Sequence, residues 1–140
     1  MTNYLSIIIF SVVAFAIVIF VVYGFVKVFK KAGEKWWYAL VPIYNQVVLA
    51  RIASKPWWWG ILASLGFGGQ MNKDIPQLVN ATLTFLTLVA LLFAILIGIA
   101  TAKRFKRSML FGVILLGIFS FIGYPIPGYG SSTYDKNIPT

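Results

Sequence analysis

The sequence predicts an all-α integral membrane protein with four transmembrane helices and an interfacial or re-entrant segment around residues 36–53. Three observations predict it. The 140 residues are 60% hydrophobic and 11% charged, whereas a soluble domain is about 25% charged, so polar groups are too few to cover the surface in water. The mean hydropathy is +0.88. Ten of the twelve basic residues fall in two loops between apolar runs. A hydrocarbon core about 30 Å thick takes roughly 20 apolar residues per helix. The chain therefore reads as a single membrane domain, residues 1–140, without a soluble domain.

The first span is expected at 4–26, where Tyr4 to Val26 carries no charge. Ala14-Phe15-Ala16 resembles the cleavage site of a signal peptide. No basic residue precedes the apolar run, however, and the run continues well past that site, so a span is the better reading. Lys27, Lys30, Lys31 and Lys35 then form a basic collar, with Ala32-Gly33 as a helix stop. Trp36, Trp37 and Tyr38 suit the headgroup level of a bilayer. Residues 39–53 are apolar but interrupted by Pro42, Asn45, Gln46 and Arg51. An interfacial or re-entrant path fits these better than a crossing, with Pro42, Tyr44, Asn45 and Gln46 as a candidate polar site.

Trp57, Trp58 and Trp59 stand side by side after Ser54, Lys55 and Pro56. Ser54 is expected to cap a helix, and Pro56 is tolerated in a first turn where its missing N–H has no partner anyway. Successive helical residues point 100° apart, so the three indoles would ring the helix at one depth. With Trp36 and Trp37 they form an interfacial aromatic belt. A second span is expected over 56–71, with a half-membrane helix as the alternative because Gly66, Gly68 and Gly69 weaken its end.

A polar turn at 70–77 leads to a third span at 78–102. Within it Ala90, Ala94, Gly98 and Ala102 recur every four residues, a stripe that lets another helix approach closely. It serves either packing within the chain or an interface with a partner. A second basic cluster, Lys103, Arg104, Lys106 and Arg107, precedes a fourth span at 108–124. The sequence Tyr124-Pro125-Ile126-Pro127-Gly128 is not expected to continue as regular helix, and residues 125–140 read as a polar tail.

Charge orients the chain. Lys27, Lys30, Lys31, Lys35, Arg51 and Lys55 precede the second span, and Lys103, Arg104, Lys106 and Arg107 precede the fourth. Basic loops favour the cytoplasmic side, so four crossings place both termini outside. The net charge of +9 then reads as contact with anionic headgroups, about 1 kcal/mol per residue before screening, and not as nucleic-acid binding.

Chemistry is sparse. The chain has no histidine or cysteine and only three acidic residues, Glu34, Asp74 and Asp135. Those absences remove the usual proton shuttle, thiol nucleophile and zinc ligands. No catalytic residue, metal site or cofactor is expected.

The stretches Ala32–Leu62 and Ala102–Tyr134 carry a resemblance. Their most specific pieces are the W-x-A-L-x-P-I-Y-N pattern at Trp37 to Asn45 and the K-P-W-W-W pattern at Lys55 to Trp59. The sequence resembles a bacterial family of small polytopic membrane proteins of unknown function, some of whose members carry an automatic signal peptidase I label. It covers about residues 30–134. The family's Phe-Gly-Lys-Ser pattern stands here as Phe105-Lys106-Arg107-Ser108, without the glycine, and residues 66–76 depart from the family. The resemblance implies a membrane fold in the inner membrane and no established activity. Peptidase chemistry would need a serine hydroxyl near an unprotonated lysine amine. The candidates are Ser54 with Lys55, or Ser131 and Ser132 with Lys73 or Lys136, and no soluble domain is available to bind a peptide. The expected function is a non-catalytic accessory or scaffolding subunit, partnered by lipids and by other membrane subunits or a second copy. A small transporter or channel component and a lipid-binding or membrane-shaping protein are the alternatives.

Overall fold

A computed structural model describes residues 2–65, 74 and 76–140, and among these every regular element is helical. Helix α1 (Thr2–Lys31) is 30 residues long, about 45 Å at 1.5 Å per residue. A 3₁₀ turn (Trp36–Leu40) leads to α2 (Pro42–Ile52) and α3 (Trp57–Ser64). Helix α4 (Gln77–Arg104) has 28 residues. A short α5 (Met109–Phe111), a π-helix (Gly112–Ile118), α6 (Ser120–Gly123) and α7 (Pro125–Tyr129) follow.

Two of these, α1 and α4, are long and apolar enough to cross a membrane. That is two among the described residues, where four were expected. The expected second span is an eight-residue helix as far as it is described, and its continuation through residues 66–71 lies outside the described residues, as do Lys73 and most of the expected turn at 70–77. The expected fourth span is a helix over Met109–Ile118, too short to cross, that breaks at Phe119 before the four residues of α6.

Three chain reversals share one device. Gly33 adopts φ +79°, Ser54 φ +56° and Lys106 φ +56°. In each case the following N–H reaches the carbonyl five residues back: Glu34 to Phe29, Lys55 to Ala50 and Arg107 to Ala102, each at 2.8 Å. This left-handed closure satisfies carbonyls that a helix end leaves orphaned. The stop expected at Ala32-Gly33 is of this kind. Ser54, expected to open α3, instead closes α2. Pro56 is the N-cap of α3 and makes no side-chain cap bond.

The segment between α1 and α3 doubles back. It leaves the C-terminal end of α1, descends through the 3₁₀ turn along that helix, and returns through α2. Glu34 and Arg51, at its two ends, meet at 3.5 Å. The eleven residues of α2 make this hairpin about 16 Å deep. Helix α3 then packs against α2 and α4. A methyl group on Gly60 would collide with the backbone of Gln46, so glycine there sets the distance between α2 and α3.

Residues 108–130 form a second hairpin. Its first arm lies on α4 through glycines. A methyl group on Gly98 would stand 2.6 Å from the Gly112 carbonyl oxygen and 2.8 Å from the Gly117 nitrogen. The π winding explains how two glycines five apart reach one surface, because i→i+5 bonding stacks such residues where α winding would splay them. The second arm, α7, packs on α1 beside Gly24. Tyr124 is fully buried between the arms and pairs with Phe25 of α1 at 5.1 Å. Residues 125–129 were expected to be irregular. They form a helical turn because Pro125 and Pro127 occupy a first turn, whose N–H groups need no partner.

The tail beyond α7 is held tightly. Lys31 Nζ donates to the carbonyls of Pro127 and Gly130 at 2.6 Å and of Ser132 at 3.0 Å. Arg107 Nε donates to Ser132 Oγ at 2.8 Å. Arg104, only 7% exposed, donates to the Tyr134 hydroxyl at 3.0 Å, and that hydroxyl donates to the Ile52 carbonyl at 2.9 Å. Thr140 Oγ1 donates to the Ala53 carbonyl at 3.0 Å. The tail therefore crosses the C-terminal ends of α1, α2 and α4, the end of the molecule that carries the basic clusters. The four-crossing arrangement expected it at the opposite end.

Candidate functional site

A cavity of about 490 Å³ lies where the two hairpin tips meet the C-terminal third of α1 and the middle of α4. Its wall comprises Val21, Val22 and Phe25 of α1, Ala39 and Leu40 of the 3₁₀ turn, and Pro42, Asn45 and Gln46 of α2. Ala63 of α3, Thr87, Ala90, Leu91 and Ala94 of α4, and Gly117 and Ile118 of the π-helix complete it. Leu40, Leu91 and Ile118 are also exposed on the outer surface, so the cavity borders the apolar flank of the molecule. The volume falls in the range of small-molecule sites.

The elements position these residues for local reasons. Pro42 sits in the first turn of α2, where proline favours helix initiation. Asn45 and Gln46 follow one turn later, at the deep end of the first hairpin. The Asn45 backbone N–H closes that turn on the Val41 carbonyl at 2.7 Å. Its side-chain Nδ2 donates to the Ala39 carbonyl at 3.4 Å, and its Oδ1 is buried with no partner. Thr87 turns its hydroxyl onto the Leu83 carbonyl at 2.9 Å. Among the described residues no charged side chain lines the cavity.

The structure divides the residues expected to act together. Of the candidate polar site, Pro42, Asn45 and Gln46 line the cavity, whereas Tyr44 stacks edge-on against Tyr38 at 4.9 Å and is not in the wall. Of the small-residue stripe, Ala90 and Ala94 face the cavity, and Gly98 and Ala102 lie under the second hairpin. Gly98 and Ala102 therefore serve packing within the chain. The aromatic belt is split as well. Trp36, Trp37, Trp57 and Trp58 are exposed, and Trp58 and Trp59 both turn onto Phe93 of α4, at 5.8 and 5.1 Å. They form an α3–α4 contact instead of a ring.

The ten basic residues also have separate tasks. Lys30, Lys35, Arg51, Lys103 and Lys106 are exposed, Arg51 being paired with Glu34. Lys31, Arg104 and Arg107 bind the tail, and Lys55 Nζ donates to the Thr140 carbonyl at 3.2 Å. Lys27 stands over the rings of Tyr23 and Tyr129 at 5.3 and 4.8 Å. Composition could not separate these roles, because the tail's return to the basic end depends on the second hairpin.

Two of the serines named for a dyad are engaged elsewhere, and Lys73 lies outside the described residues. Ser132 Oγ accepts from Arg107, which cannot act as a base, and Ser54 is a helix-closing residue. Among the described residues no group of three or more acidic side chains could hold a metal.

What fold and site define together is a small helical protein with, among the described residues, two membrane-length helices and an uncharged, half-open cavity. The chain belongs to the family of unknown function DUF5684, whose profile matches residues 37–137. That match contains both hairpins, α3 and α4, and nearly all of the cavity wall outside α1. No curated protein and no solved structure matches the chain.

Proposed function

We propose that this chain is a non-catalytic membrane protein that binds an apolar molecule within the bilayer, the lipid-binding alternative among the expected functions. The observation that carries the reading is the cavity between the hairpin tips, walled by apolar side chains and bordered by exposed leucine and isoleucine. On this reading α1 and α4 both run from the extracytoplasmic to the cytoplasmic side. The basic end faces the cytoplasm, where Lys30, Lys35, Lys103 and Lys106 meet anionic headgroups. Both hairpins enter from that face and return to it. The N-terminus is extracytoplasmic and the tail cytoplasmic, which replaces the four-crossing arrangement with both termini outside.

The test is purification in mild detergent followed by extraction and mass spectrometry of bound lipid. A substoichiometric, non-selective lipid profile, unchanged when Ala94 is replaced by phenylalanine to fill the cavity, would sink the reading.

An accessory role in a larger assembly is the second reading. Gly98 and Ala102 do not support it, because the second hairpin covers them. What favours it is the first two-thirds of α1. From Asn3 to Ile19 every residue is exposed except half-buried Ala14, so among the described residues no other helix covers this length of α1. Stoichiometric co-purification of a second membrane protein that is lost when residues 2–19 are replaced by polyleucine would support it.

A further inference from the structure

We infer that Lys27, Lys31 and Arg107 form an oxyanion site at the basic end of the molecule, one that takes a phosphate group. The site is separate from the cavity and does not depend on what the cavity binds.

The fold brings three cations onto one short segment. Lys27 and Lys31 stand four residues apart on α1, so their side chains share a face. Arg107 comes from the turn after α4. All three converge on residues 129–132. Lys27 Nζ lies 4.8 Å from the centroid of the Tyr129 ring. Lys31 Nζ donates to the Gly130 and Ser132 carbonyls. Arg107 Nε donates to Ser132 Oγ, and its Nη2 stands 3.5 Å from where a methyl group on Gly130 would lie. Lys27 and Arg107 are both close enough to Lys31 to repel it.

Among the described residues no carboxylate answers this charge. Glu34 pairs with Arg51, Asp135 Oδ1 accepts from the Asn137 N–H, and Asp74 precedes α4 at its opposite end. The tail supplies neutral acceptors. A concentration of one sign of charge draws a counter-ion.

Donors remain to hold that ion. The Lys31 ammonium is filled by three carbonyls, so it acts through its charge. Lys27 Nζ meets the ring faces of Tyr23 and Tyr129, and Arg107 hydrogen-bonds through Nε. The Lys27 ammonium and the two Nη groups of Arg107 therefore keep N–H donors for a ligand. Both side chains are half-buried, not sealed. Phosphate suits the set better than a carboxylate. Its oxygens can take two parallel N–H groups from a guanidinium and still accept from an ammonium. A phospholipid headgroup and free phosphate both carry this chemistry.

The test follows the thermal midpoint of the full chain in neutral detergent. The added probes are dioctanoyl phosphatidic acid, dioctanoyl phosphatidylcholine (whose choline neutralises its phosphate), and sodium phosphate against sodium chloride of equal ionic strength. A ligand that binds the folded chain raises the midpoint. The expected result is a rise with phosphatidic acid that phosphatidylcholine does not give. In the double variant Lys27→Gln, Arg107→Gln the half-maximal concentration should be about five-fold higher. In Lys103→Gln, Lys106→Gln, which removes equal charge from exposed positions, it should not move. A like rise with sodium phosphate would support the site and show that the phosphate group suffices; a rise with phosphatidic acid alone would support it as a headgroup site. Equal weakening in the two double variants would reduce the effect to surface charge and overturn the site, as would an equal rise with phosphatidylcholine or no rise with either phosphate. Should the Arg107 change prevent folding, Lys27→Gln alone decides, because Lys27 contacts rings and holds no tail carbonyl. None of these outcomes bears on the cavity reading, which lipid extraction from the Ala94→Phe chain decides.

Discussion

Gly98 leaves no room for a side chain, since a Cβ there meets backbone on the facing hairpin. Gly98→Val is expected to cost at least 1–3 kcal/mol, the range for overpacking a close contact, read as a lowered thermal midpoint in detergent. The same change at Ala94, beside the cavity, is expected to cost less because open space lies in front of it. The left-handed residues give an opposite pair. Ser54 and Lys106 hold positive φ without being glycine, a conformation that costs an L-residue about 1 kcal/mol. Ser54→Gly and Lys106→Gly are expected to stabilise by about 0.5–1 kcal/mol each, and Gly33→Ala to destabilise by about 1 kcal/mol. Chemical denaturation of the three variants checks the sign. Gly33 was legible in the sequence because glycine advertises this geometry; serine and lysine do not, which is why Ser54 reads as a cap.

At the scale of elements, the first hairpin was readable and the second was not. Pro42, Asn45 and Gln46 interrupt an apolar run and argue against a crossing. Residues 108–124 contain no such interruption, and their hydropathy is the same whether they cross or turn back. What turns them is a set of contacts distant in sequence: Gly112 and Gly117 on α4, Tyr124 beside Phe25, and Lys31 on the carbonyls at the end of α7. The tail depends on the same arrangement. Tyr134→Phe removes both the acceptor for buried Arg104 and the donor to Ile52. Leaving such groups unpaired costs about 1–3 kcal/mol. Faster amide hydrogen exchange through residues 131–140, with α1 unchanged, is the expected outcome; equal loss of protection in both would place the tail in the global core instead.

For the whole molecule the proposal is topological, and the chain is well suited to test it. It contains no cysteine, so single cysteines report accessibility without background. Cysteines at Asn3, Lys35, Lys106 and Asn137 are expected to label from two sides in intact cells: Asn3 from outside, the other three from within. Labelling of Asn137 from outside would restore the four-crossing arrangement. Orientation itself is expected to depend on the exposed cations. Replacing Lys30, Lys35, Lys103 and Lys106 together by glutamine should give a mixed population, read by the same cysteines, since loop charge is the term that orients a short membrane chain.

Residue chemistry alone determined the helical class, the two long apolar helices, the grouping of cations at helix ends and the poverty of catalytic groups. Those properties add up residue by residue, so they need no knowledge of contacts. The tertiary structure decided the direction of residues 108–130, the side on which the tail lies, the use of Gly98 and Ala102 inside the chain and the meeting of Asn45 with α1 and α4 around a cavity. Each depends on which distant surfaces touch, and a one-dimensional pattern of apolar and basic residues is compatible with more than one such pairing.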